Sequence, residues 1–230
     1  MTIINKDNIY EELQKGNMIP MMEACKINRI HYAVDNIIKM LIFSHDDILM
    51  DVLNFHLNHI SEYIVSDMIY ALLQKEDCGN KIGIMIKFLE KHGLEYMIRR
   101  NSAISLEQAI KYNRHNSITH LLPFVIDSMK IQSFYKVRRV DTFIHMEKQI
   151  GELIRKSINI ILYIMMSGQK IDIIKYIIKK YILYIGEWDY DNIRYQLFIN
   201  CDSTMTKYNY NIGIRMDLVR RSYNDDIILI

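Results

Sequence analysis

Proline and glycine are scarce, with two and eight among 230 residues. An all-β chain needs turn residues every eight to twelve positions or so, so their scarcity argues against a sandwich or barrel and for helices. Cysteine is rarer than a disulfide scaffold requires. Cys25, Cys78 and Cys201 lie far apart without paired spacing, which excludes a disulfide framework and suits a reducing compartment. An excess of one charge sign is also missing: 29 basic residues face 27 acidic ones, for a net +2. Such a balance gives no general attraction to nucleic acid or to membrane surfaces. Long hydrophobic runs are absent too. The greasiest stretch is 158–186, INIILYIMMSGQKIDIIKYIIKKYILYIG, and its longest apolar run, Ile160 to Met166, falls far short of the roughly 20 residues of a membrane span. Gly168, Lys170, Asp172, Lys175, Lys179 and Lys180 break the rest, so a buried helix pair is expected there rather than a membrane-surface helix. The opening MTIINKDNIYEEL has no apolar signal core and no Asn-x-Ser/Thr acceptor occurs, so the expected location is the cytoplasm.

What is present is hydrophobic mass. Half of the residues are hydrophobic and 24% charged, the composition of a folded chain long enough to bury a substantial core. Isoleucine alone supplies 43 positions, with 16 Tyr and 15 Met. Together with abundant Asn and Lys these are residues of A/T-rich codons. The isoleucine excess therefore reads as genome bias, familiar in large DNA viruses, some protozoa and some endosymbionts, before it reads as β propensity.

The organisation shows in SLEQAIKYNRHNSITHLL, residues 105–122. Leu106, Ala109 and Ile110 sit at i, i+3 and i+4, and Ile118, Leu121 and Leu122 repeat that spacing after the polar interval Lys111 to Ser117. Two short helices packed as a hairpin are predicted, with Ser105 capping the first and Pro123 ending the second. The 14-residue form AIKYNRHNSITHLL returns without a gap as IMMSGQKIDIIKYI at 164–177, which sets Ile164 beneath Ala109 and Gly168 beneath Asn113. DVLNFHLNHISEYI at 51–64 is a looser copy, while 23–42 and 70–93 need insertions. Recurrent helix–turn–helix units predict stacked pairs, a solenoid.

These units resemble divergent ankyrin repeats, whose core reads roughly A-x-x-x-G-[HN]-x-x-[IV]-[VI]-x-x-L-L. MMEAC at 21–25 resembles the opening of a first helix, FLEKHG at 88–93 a second helix with its turn, and IDIIKYIIKK at 171–180 the second helix of ankyrin units in large DNA viruses of the pox-, asfar- or mimivirus kind. The likeness covers 20–180 in patches. It departs from the family in lacking a T-P-L-H opening and the Gly-Ala-Asp of the connecting finger. Equivalent positions 24, 71, 109 and 164 are separated by 47, 38 and 55 residues, where the family keeps 33. The expected fold is mainly α, a helical-repeat domain over 1–187, with 188–230 as a less regular extension packed as a cap. In that extension Tyr208, Tyr210, Ile212, Ile214 and Met216 alternate with polar residues, as do Tyr195, Leu197 and Ile199 upstream. A β-hairpin fits this period of two, though helices rich in Tyr and Ile can imitate it.

Candidate chemistry is thin. His56, His59 and Glu62 recur every three residues, and a zinc ion needs three or four such ligands converging at about 2 Å. No fourth ligand announces itself, and the plainer reading is a polar helix face opposite Leu53, Leu57, Ile60 and Ile64. His115 belongs to a polar turn and His120 to a half-exposed helix face, and neither has a neighbouring Ser, Cys or carboxylate to form an activated nucleophile. CGNKIG at 78–83 is the densest glycine pair but lacks the order of a phosphate loop. FYKVRRV at 134–140 mixes aromatic and basic residues as single-strand binders do, yet Asp127, Asp141 and Glu147 stand near it, which favours a solvated edge. Met21, Met22, Met165 and Met166 suit core filling before an adaptable surface.

No residue is therefore assigned a catalytic, cofactor-binding or metal-binding role. The expected function is non-enzymatic protein–protein interaction, with no nucleic acid or membrane partner. The family resemblance implies a viral host-interaction or host-range factor that binds a host signalling or ubiquitin-pathway protein. Two rivals are a compact α-helical viral inhibitor with a ligand groove, built around 158–166, and a metal-dependent enzyme using His56 and His59.

Overall fold

The computed structural model describes residues 6–26, 34–74, 79–168, 170–181 and 184–185. Among them the chain is mainly helical, with thirteen α-helices and no strand. The hairpin expected at 195–216 and the boundary expected at 187/188 lie outside the described residues. The chain divides into two compact units, Met1–Lys136 and Val137–Ile230, a division that nothing in the composition around residue 136 had announced.

In the first unit the helices are α1 (Lys6–Gln14), α2 (Ile19–Lys26), α3 (Val34–Phe43), α4 (Asp46–Phe55), α5 (Glu62–Leu73), α6 (Gly79–Lys91), the single turn α7 (Tyr96–Arg99), α8 (Ser102–Lys111), α9 (His115–Leu121) and α10 (Asp127–Ser133). They form two rows. α1, α3, α5 and α8 pack each against the next, while α4, α6 and α9 do the same beside them. The pairs α3/α4, α5/α6 and α8/α9 join the rows. Each helix is amphipathic, so a pair alone leaves apolar surface that only a neighbouring pair covers. Met40, Leu49, Met68, Phe88, Leu106 and Ile118 are all inaccessible to solvent.

The phase of the pairs corrects part of the sequence reading. Segments 70–93 and 109–122 each hold a first-row helix followed by its second-row partner. Segment 51–64 instead runs between rows the other way, from α4 into α5, while segment 23–42 holds α2 and the first-row helix α3. Both kinds of junction show the same apolar–polar–apolar spacing, so spacing alone does not set the phase. Helix α8 also starts earlier than expected: Ser105 lies within it and is buried, and the residue before the helix is Asn101. Ser102 Oγ donates to the carbonyls of Arg99 and Phe124, each at 3.0 Å. Pro123 does stop α9, in a 3-10 turn over Leu122–Phe124.

Turn chemistry closes several of these helices. Gly16, Gly93 and Asn113 have positive φ of 85°, 68° and 55°, the left-handed conformation that ends a helix by returning amides to its last carbonyls. The returning bonds run from Asn17 N–H to Glu12 O at 2.8 Å, Leu94 N–H to Leu89 O at 2.8 Å and Arg114 N–H to Ala109 O at 2.9 Å. Asparagine tolerates this region better than most residues with a Cβ.

The second unit contains α11 (Val140–Lys156), α12 (Ile158–Ser167) and α13 (Ile171–Tyr181), packed pairwise. The helix pair expected within 158–186 is present as α12 and α13. Its turn bond, Lys170 N–H to Met165 O at 3.0 Å, matches that of Arg114 and Ala109. The structural offset between the two hairpins is thus 56 residues, one more than the ungapped alignment: Ala109 corresponds to Met165, Ile118 to Ile174 and Leu122 to Ile178, all buried. Of these two hairpins, only the first has a small residue at this position. α11 carries a local break at Ile150, where φ is −131° and ψ is 33°.

Candidate functional site

The histidine cluster does not assemble. His56 ends α4 and is fully buried beside Phe55, His59 lies exposed in a 3-10 turn, and Glu62 opens α5 and pairs with Arg100. The helix ends where the expected polar face would continue, so the three residues share no face and His56 belongs to the core. Burial, aided by the neighbouring His59, pushes the His56 pKa down to about 4, which keeps the ring neutral at physiological pH. Among the described residues no three His, Cys, Asp or Glu side chains are placed to hold one metal ion. His115 opens α9. His120 is half-buried against Gly83 of α6, where an added Cβ would lie 2.7 Å from its Nε2; burial and then Lys87 lower its pKa.

The FYKVRRV segment is occupied by its own contacts. Phe134 and Val137 are buried, Tyr135 donates to Glu107 at 2.6 Å with Lys136 over its ring, and Arg139 makes two bonds to Asp141. Met21, Met165 and Met166 are buried core residues. Cys25 is buried on α2, while Cys78 and Cys201 lie outside the described residues. No helix among the described residues is long and apolar enough to cross a membrane.

What the rows of the first unit do expose is an aromatic face, which periodicity had not separated from the core. On α5 the inward positions Ile64, Val65, Met68, Ile69 and Leu72 are buried, while Tyr63 and Tyr70 are 79% and 50% exposed. Across a shallow groove α8 presents Ile104, 62% exposed, with Asn101 and Gln108 at its sides and Ser66 and Ser105 in the lining. The groove itself is lined by no charged side chain. An exposed aromatic and aliphatic cluster flanked by neutral polar groups is the composition of a recognition surface rather than of a reaction centre.

A second feature recurs along the edge where the pairs turn. Each second-row helix begins with a bond to the pair before it. His45 N–H donates to Leu13 O at 2.8 Å. Lys81 Nζ donates to Ile42 O at 2.6 Å and to Ser44 O. Arg114 Nε donates to Leu73 O at 3.2 Å. These donors satisfy carbonyls at the ends of α1, α3 and α5, where the helix itself offers no further amide.

In the second unit, Glu147 of α11 is nearly buried and accepts bonds from Tyr176 at 2.7 Å, Lys180 at 2.6 Å and Tyr181 of α13. Burial pushes its carboxyl up, but the bonds from Lys180, Tyr181 and Tyr176 outweigh this and hold it below its ordinary value. Burial and the facing Glu147 raise both tyrosines. With Phe143 edge-on to Tyr176, the cluster fastens α13 to α11. Helix α12 exposes Ile160 and Tyr163.

Against known proteins, no family model, no curated protein and no solved structure matches this chain.

Proposed function

We propose that the chain is a non-enzymatic protein-recognition module, a short ankyrin-like solenoid of stacked helix pairs. The observation that carries this reading is the exposed face of Tyr63, Tyr70 and Ile104 on two adjacent first-row helices whose inner faces are fully committed to the core. Tyrosine combines large contact area with a hydroxyl and is favoured at the energetic centres of interfaces. The stacked rows hold these side chains at fixed separation, so a partner meets a preorganised surface. The resemblance to ankyrin units of large DNA viruses extends the proposal to a viral host-interaction factor acting on a host signalling or ubiquitin-pathway protein; the repeat motifs in the sequence support that extension.

The test is photo-crosslinking in cells from a probe amino acid placed at Tyr70, at Ile104 and, as a control, at Asn58. One protein captured from 70 and 104 but not from 58, and bound about tenfold or more weakly by Tyr70→Ala, is the expected result. Equal capture from all three positions, or turnover of a small molecule by the purified chain, overturns it.

A further inference from the structure

We draw no further inference here: the strongest candidate, the solvent-facing patch of Ile160 and Tyr163 on α12 of the second unit, carries none, because nothing in the structure shows what covers it.

Discussion

The two units fasten their helices by opposite electrostatic devices. In the first, cationic side chains donate to backbone carbonyls at helix ends, as Lys81 does to Ile42 and Ser44 and Arg114 to Leu73. In the second, one carboxylate, Glu147, gathers three side-chain donors from α13. A carbonyl does not titrate, so the first device is indifferent to acid. The second depends on Glu147 staying ionised. Because its folded pKa lies below the ordinary carboxylate value, its stabilisation is present above the unfolded pKa and is lost as pH falls through the folded one.

Core truncation should produce the largest effects and fall equally on both units. Ile118→Ala and Ile174→Ala occupy corresponding buried positions, and each should cost about 2–5 kcal/mol in urea unfolding through lost burial and a residual cavity. A much milder effect at 174 would break the equivalence of the two hairpins. Next comes acid, where the first unit has its own weak point in His56. Its folded pKa of about 4 lies below the ordinary histidine value of 6.5, so its contribution is full above pH 6.5 and is lost as pH falls from there to 4. The shift corresponds to about 3 kcal/mol at most. His56→Leu should flatten the pH dependence of melting over this window, and an unchanged slope would place the acid sensitivity elsewhere.

The fastening groups come third. Lys81→Met should destabilise the first unit by about 1.5–3 kcal/mol at neutral and acid pH alike, because it strips charged donors from buried carbonyls. Glu147→Gln should destabilise the second unit at neutral pH and lose its penalty below the folded carboxyl pKa. Identical pH profiles for the two variants would erase the distinction between the devices. Smallest of all, His115→Ala should stay within about 1 kcal/mol of the parent by thermal melting, as half-exposed positions at helix starts do.

Much of the fold was legible because helical periodicity survives divergence. The i, i+3, i+4 spacing at Leu106, Ala109 and Ile110 and again at Ile118, Leu121 and Leu122 marks α8 and α9, and the apolar stretch from Ile158 resolves into α12 and α13. The phase of the pairs was not legible, since turns within a pair and turns between pairs share one pattern. His56 misled for a related reason: α4 ends at Phe55, and a helical projection continued past a helix end puts every later residue on the wrong face. Tyr63 and Tyr70 escaped notice because tyrosine counts as apolar in a periodicity scan whether it faces the core or water.

The ties at the pair edges also bear on how the first unit is made. Lys81 reaches back 39 residues to Ile42, Arg114 reaches back 41 to Leu73, and Arg100 reaches back 38 to Glu62. Each bond spans about one pair and none of these three spans two. Closing such short loops carries a small entropic cost, and contacts of this range favour rapid folding. As the chain leaves the ribosome, each of these ties needs only the next pair to have emerged, and none of them waits for the last helix.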